Sequence, residues 1–351
     1  MRKIYLILLF SLSLMSCSKQ VEQISLVELS PIEKKDMYEK QIRMTESCYS
    51  DCFILDSMLI LIANCDTNYF HVYNKQSLQL IKKFGIEGEA PHDFLRPIPY
   101  NTNYLENNGI RNFHDIRTGY NKEVNFNKII SGHNLADCIL AKPVDQALLP
   151  CHEINFVNEN KIIMRSVDEG DGLFMSYDPK TGKKNWVDFY PEIDVEDKLK
   201  RYVYYGLVHA NPQKNAVAFF YRYFDGVLFF DLNGKMKRNY FFSEIRKPAM
   251  SNKYVGVSNE STLYSVRVCS TPNYCFVMRV NQPFKSIQED PKPPVHILKF
   301  NWEGELLHVY EFSIFPYLFT VDEETETIYI LNQSREAENP YVEILAYPIA
   351  S

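Results

Sequence analysis

One short pattern returns along the whole chain: an apolar strand, an acidic or amide residue that opens a turn, and usually a glycine within that turn. Its clearest copy is Gly226-Val227-Leu228-Phe229-Phe230-Asp231-Leu232-Asn233-Gly234-Lys235. Asn-Gly accepts the positive φ angles of a tight hairpin, and an aspartate at the entrance bonds its own backbone two residues on. The same order recurs at Phe70-His71-Val72-Tyr73-Asn74, Phe113-His114-Asp115, Phe174-Met175-Ser176-Tyr177-Asp178 and Ile297-Leu298-Lys299-Phe300-Asn301, and more weakly before Tyr347. Taken at Asn74, Asp115, Asp178, Asp231, Asn301 and Tyr347, the anchors lie 41, 63, 53, 70 and 46 residues apart. A unit of about fifty residues built from hairpins is the size of a four-stranded propeller blade with loops of varying length.

Two copies can be read strand by strand. Around Asp178 the strands are 151–157, 161–166, 172–177 and 183–190; around Asp231 they are 204–210, 216–221, 226–232 and 237–242. The second copy is the poorest, because 101–109 is polar and rich in asparagine. The last copy stops after its third strand, and a ring left with an open sheet edge exposes unpaired backbone groups. The unpartnered Ile24-Ser25-Leu26-Val27-Glu28-Leu29, stopped by Pro31, is the expected closing strand. The chain is thus expected to be all-β, a six-bladed propeller of four-stranded antiparallel blades closed from the N-terminus, with seven blades or a two-sheet sandwich as competing architectures. The 24 tyrosines and 23 phenylalanines suit strands. Residues 84–97, with Gly85, Gly88, Pro91 and Pro97, interrupt ladder pairing and read as the connector from the outermost strand of the first blade to the innermost strand of the second.

The N-terminus points to export. Met1-Arg2-Lys3 precedes an apolar run that ends at Leu14, shorter than the roughly 20 residues a spanning helix needs. Leu14-Met15-Ser16-Cys17 resembles the lipobox of bacterial lipoproteins, which implies cleavage before Cys17, lipidation of that thiol, and membrane attachment without a span. The expected organisation is a signal peptide over 1–16, a tether over 17–23 and a propeller over 24–351. Cleavage removes Arg2 and Lys3 and takes the formal charge from −6 to −8, which with no basic stripe argues against nucleic acid. The remaining cysteines, Cys48, Cys52, Cys65, Cys138, Cys151, Cys269 and Cys275, are odd in number and match no disulfide framework. Buried free thiols are the simpler reading, with Cys48–Cys52 and Cys269–Cys275 conceivable pairs.

Together, the lipobox, the connector with its Gly88, Pro91 and Phe94, and the strand pair Phe319-Thr320-Val321-Asp322 and Thr327-Ile328-Tyr329-Ile330 resemble the TolB-like six-bladed propeller lipoproteins of Bacteroidales-type bacteria. The resemblance covers nearly the whole mature chain. It implies the propeller fold and an envelope location, and it carries no agreed activity and no catalytic residues. Surface-displayed lipoproteins of such bacteria carry an acidic run after the lipidated cysteine; here Ser18-Lys19-Gln20 follows, which favours an outer-membrane anchor facing the periplasm.

Function is expected on the face that carries the loops between second and third strands and the connectors between blades, since long loops on a rigid frame carry binding residues. That face should hold residues 64–68, 167–171, 222–225 and 281–294 beside the connector. Its first candidates for ligand contact are His92, Asp93, Arg96, Arg222, Tyr223 and Asp225. Sharper motifs fail on geometry. Asp168-Glu169-Gly170-Asp171-Gly172 lacks calcium-loop spacing. Cys48, Cys52, Cys65 and His71 could ligate zinc, but Cys52 runs into the strand Phe53-Ile54-Leu55, so no metal or other cofactor is expected. Neighbours in Cys151-His152-Glu153 should point to opposite sides of a strand. Nucleophile-elbow and phosphate-loop patterns are absent. The chain therefore reads as a binding scaffold for an envelope protein, peptide or glycan. The alternative is a hydrolase or lyase with a cation or paired carboxylates at the mouth of the central channel.

Overall fold

The computed structural model describes residues 29, 32–35, 38–44, 48–64, 66–101, 109–115, 117–149, 151–166, 172–253, 255–288, 294–333 and 341–349. They form six sheets whose antiparallel strands follow one another in sequence from the ring axis outward, except for two N-terminal strands added at the outer edges of the last two. Blade I consists of Tyr49–Leu55, Met58–Ala63, Asn68–Asn74 and Leu80–Ile86; blade II of Pro97–Pro99, Ile110–Asp115, Tyr120–Asn125 and Ile139–Pro143. Blade III holds Cys151–Asn158, Lys161–Ser166, Phe174–Tyr177 and Lys184–Val187; blade IV holds Gly206–Asn211, Ala216–Tyr221, Gly226–Phe230 and Met236–Phe241. Thr262–Ser270, Tyr274–Pro283, Val295–Asn301 and Leu306–Phe312 make blade V, and Pro316–Asp322, Thr327–Gln333 and Val342–Pro348 the first three strands of blade VI. The chain is a six-bladed β-propeller.

Strand assignments in blades III and IV agree with those read from the repeat to within a few residues at each end. The turn chemistry is as expected: Asp231 Oδ1 accepts from the backbone of Asn233 and Lys235, and Asp178 Oδ1 from that of Lys180. Blade II departs from it. Its Asp115 turn joins the second and third strands, whereas the other anchors follow the third. The two kinds of hairpin carry the same turn residues, so the pattern alone does not separate them.

Closure differs in detail from the sequence expectation. Lys40–Met44 fills the outer position of blade VI, antiparallel to Val342–Pro348, in the place expected for 24–29. Just before it, Ile32–Lys35 runs parallel to Leu306–Phe312 and adds a fifth strand to blade V. The N-terminal segment therefore binds the outer edges of two blades in succession. Of 24–29 only Leu29 is described; it is outside any strand and packs on the core between blades IV and V. The signal peptide, Cys17, the tether and the loop 167–171 lie outside the described residues. Among the described residues no helix is long and apolar enough to cross a membrane.

The core lies between blades, because each sheet buries both faces against its neighbours. Phe70, Phe84, Phe94, Phe113 and Phe126 pack where blades I and II meet. The connector supplies Phe94, and it folds back on the strand it leaves: Phe94 N–H donates to Ile86 O, and Gly88 N–H to Phe94 O. Gly85 takes a φ of +85° with the Phe70 ring 2.8 Å from where a Cβ would stand, so a side chain there meets both strain and a clash. Cys48 is disulfide-bonded, and Cys52, Cys138, Cys151, Cys269 and Cys275 are free thiols, which removes Cys48–Cys52 and Cys269–Cys275 as pairs.

Candidate functional site

The innermost strands enclose a cavity of about 930 Å³ along the ring axis. At the loop-bearing mouth its wall is aromatic and cationic, with Tyr205, Arg222, Phe284, Phe315 and Tyr317; at the opposite mouth it is acidic, with Asp56, Asp322, Glu323 and Glu324. The acidic end is partly neutralised. Lys75 donates to Asp322 at 2.8 Å and to Glu324 at 3.1 Å, joining blades I and VI.

Between the mouths stand Asp51, Glu153, Arg267, Arg111 and His209, from five different blades. Three of them owe their aim to broken register. The innermost strand of blade I shifts between Tyr49 and Asp51, that of blade III between His152 and Asn155, and that of blade V between Ser265 and Arg267. A bulge inserts an unpaired residue and re-aims its neighbours. At Glu153 the distortion is strongest, with φ at +52°, a conformation that a residue with a side chain rarely adopts. Asn155 holds the bulge: its amide donates to the carbonyls of Glu153 at 2.7 Å and Val208 at 3.0 Å, while its carbonyl oxygen accepts from Ala210 N–H at 2.8 Å.

The resulting electrostatics are unusual for a protein interior. Burial raises the Glu153 carboxyl, against the hydrogen bond donated by Asn101 Nδ2 at 2.8 Å, and the nearby Asp51 raises it further. Burial likewise raises Asp51, against the pull of Arg267 and Arg111. His209 is pushed down to about 3, first by burial and then by Arg111. Its Nε2 lies 3.8 Å from Glu153 Oε2, but a ring so depressed is neutral at ordinary pH, so the contact is carboxyl to neutral imidazole. Its Nδ1 meets Ser270 Oγ at 2.6 Å. Among the described residues the Arg267 guanidinium makes no hydrogen bond or ion pair, and the Asp51 carboxylate accepts only from the adjacent Cys52 N–H. Both groups are half-buried and face the cavity.

Of the six residues expected to touch a ligand, the structure brings one to this cavity. Arg222 lines the loop-bearing mouth, its guanidinium 5.7 Å from the centre of the Tyr205 ring, whose other cationic neighbour is Arg165 at 4.0 Å. The loop 281–294 adds Phe284 and Ile287 to the same mouth. Asp225 is occupied within the fold: Arg279 grips its carboxylate with two hydrogen bonds of 2.6 and 2.5 Å. Tyr223 is half-buried against the core between blades III and IV. Asp93 packs against Gly88 and gives its carbonyl to Lys122 Nζ; His92 is half-buried and Arg96 exposed, both outside the cavity wall.

Asp51, Glu153, Arg267, Arg111 and His209 escaped the sequence reading. The available signal was a charge or histidine inside an apolar strand nearest the axis, as in Leu207-Val208-His209-Ala210 and Ser265-Val266-Arg267-Val268. Strict alternation set Glu153 aside, and the bulge that turns it inward has no sequence mark.

With this geometry in view, comparison with known proteins yields fold neighbours. No protein-family model matches the chain, and no curated protein matches it in sequence. Among solved structures, a member of the DUF4221 family from Bacteroides vulgatus superposes with a TM-score of 0.57 at 13% identity, over 89% of this chain and 97% of that one. A Bacteroides fragilis protein designated an exported protein reaches a TM-score of 0.49 at 11% identity, over 90% of this chain and 99% of that one. At such identity the first likeness concerns the fold alone.

Proposed function

We propose that this chain is a TolB-like, lipid-anchored propeller of the bacterial envelope that acts as a binding scaffold for a protein, peptide or glycan partner. The lipobox-like Leu14-Met15-Ser16-Cys17 after a charged and apolar start supports the anchor, and Ser18-Lys19-Gln20 supports an outer-membrane position facing the periplasm. A disulfide at Cys48 suits the same oxidising compartment. The observation that carries the binding role is the pair Asp51 and Arg267, two charged groups turned into a cavity of about 930 Å³ with no bonding partner across it. Such a cavity has the size of a ligand site. In a pull-down from envelope extract, wild-type protein is expected to retain a partner that an Arg222→Ala/Arg267→Ala variant loses; equal recovery by both removes this site from the reading. Cys17→Ala is expected to leave the chain unprocessed and unacylated, and persistent acylation would remove the anchor.

One observation favours a second reading, a hydrolase or lyase. Glu153 combines a left-handed backbone with a raised carboxyl in a cavity, the setting of a general acid. In this reading the carboxyls of Glu153 and Asp51, which face the same cavity, are the groups available for the chemistry, alone or with a cation. Turnover of a bound ligand that disappears in Glu153→Gln while binding persists would decide for it.

A further inference from the structure

Resting on the binding role above, we infer that the middle of the central cavity holds a small zwitterion, an α-amino acid or a short peptide with both ends free, by its ammonium and its carboxylate. Two side chains set the poles. Asp51 comes from the innermost strand of blade I and Arg267 from that of blade V, with the innermost strand of blade VI packed between them. Both strands lose register immediately before these residues, between Tyr49 and Asp51 and between Ser265 and Arg267. A bulge re-aims the side chains beside it, and here each bulge turns a charge into one cavity.

The two charges are near enough for Arg267 to pull the Asp51 carboxyl down, yet they form no ion pair. Asp51 Oδ1 accepts from Cys52 N–H, which leaves Oδ2 without a donor among the described residues, and the guanidinium has no acceptor among them. Glu153 stands in the same field, raised by Asp51 and lowered by Arg267; Asn101 holds its Oε2 and leaves Oε1 open among the described residues. The space they share thus has carboxyl acceptors from blades I and III and a fork of donors from blade V. A simple ion is poorly served there. An anion on Arg267 stands in the field of Asp51 and Glu153, and a cation on those carboxyls stands in the field of Arg267. A molecule that carries both charges gains at both ends. Its ammonium, a donor of three hydrogen bonds, meets the carboxyl oxygens, and its carboxylate takes the guanidinium in the paired geometry those two groups favour. The ligand ammonium also restores the charged form of two carboxyls that burial disfavours. A cavity of about 930 Å³ leaves room for the side chains of such a ligand.

The test is calorimetric binding of the full mature protein, in detergent, to the common α-amino acids and to di- and tripeptides, each with free ends, with an acetylated amine and with an amidated carboxylate. At least one ligand with both ends free should bind, and the tighter arm tells amino acid from peptide. Blocking either end should weaken binding about tenfold to a hundredfold, the loss that goes with one hydrogen bond to a charged group. Two variants assign the ends. In Asp51→Asn the penalty for acetylation should shrink while that for amidation stays, and in Arg267→Met the reverse; an unchanged denaturation midpoint shows each fold intact. The comparison of free with blocked ligands on the wild type holds even where a variant fails to fold. Equal binding of free and blocked ligands overturns the inference, as do penalties that neither substitution alters. Absence of binding to the whole panel overturns it too, and the envelope pull-down then separates the readings. A partner retained by the wild type and lost by Arg222→Ala/Arg267→Ala keeps the binding role, and equal recovery removes both.

Discussion

At the scale of single residues the cavity is built at a cost to stability, and that cost should be measurable as pH dependence. His209 is held neutral by burial and by Arg111, with its proton affinity pushed down to about 3 from 6.5. In the unfolded chain the imidazole takes up a proton as pH falls through 6.5, whereas the folded one does not until about 3. The unfolded state therefore binds more protons across that window, and stability drops as pH falls. Asp51 and Glu153 act with the opposite sign, because a carboxyl raised in the fold binds its proton there first and loses stability as pH rises. The comparison of interest is thus between wild type and His209→Gln, which keeps the carboxyls and removes the titrating ring. Urea unfolding at pH 7, 5 and 4 should show the wild type losing about 1–3 kcal/mol more than the variant; parallel losses would mean that His209 is not held neutral. His209, on a regularly paired strand, was legible as a histidine inside an apolar run, whereas Glu153 could not be assigned by alternation, since it reaches the axis only because its strand is irregular there.

At the scale of elements, the crossover from blade I to blade II is fastened by one buried ion pair. Lys122, fully buried, donates to Asp115 at 3.2 Å and to the Asp93 carbonyl, with its ammonium 4.6 Å from the centre of the Phe94 ring. Asp115 also accepts from the backbone N–H groups of Leu95 and Arg96, so one carboxylate closes the turn and holds the connector. Burial depresses Lys122, and Asp115 opposes that depression. Removing one partner strands the other, so Asp115→Asn and Lys122→Met should each cost about 3–5 kcal/mol. The double variant should cost clearly less than their sum, because neither charge is then left alone. A double-mutant cycle by chemical denaturation measures this, and strict additivity would show that the pair is not a unit. The connector's position between blades was legible from Gly85, Pro91 and Pro97. Its fastening was not: Asp115 looks like any other turn aspartate, and nothing in a sequence shows that a lysine 7 residues later is buried against it.

At the scale of the whole molecule, the need for closure could be read from a last repeat one strand short, but the segment that meets it could not. Residues 24–29 are the more apolar; Lys40–Met44 carries two cations, and its register is set by the partners it meets. Met44 is the reason. It is buried between blades VI and I, where its sulfur accepts from Tyr73 OH at 3.1 Å and Tyr49 OH at 3.6 Å, and it shares a core with Val342, Ile344 and Ala346 of the strand it covers. Ile32–Lys35, on the neighbouring blade, ties the same segment down a second time. A chain that begins at residue 46 would leave Val342–Pro348 as a bare edge and would lose Met44, whose truncation alone is worth about 2–5 kcal/mol. It should unfold at lower denaturant, and proteases should cut first in blade VI. A synthetic peptide spanning residues 32–47, added in trans, should restore the midpoint in proportion to its concentration, and the same peptide with Met44→Asp should not. A shortened chain as stable as the parent would mean that the ring closes through blade-to-blade packing alone, with the N-terminal segment bound to a propeller already complete.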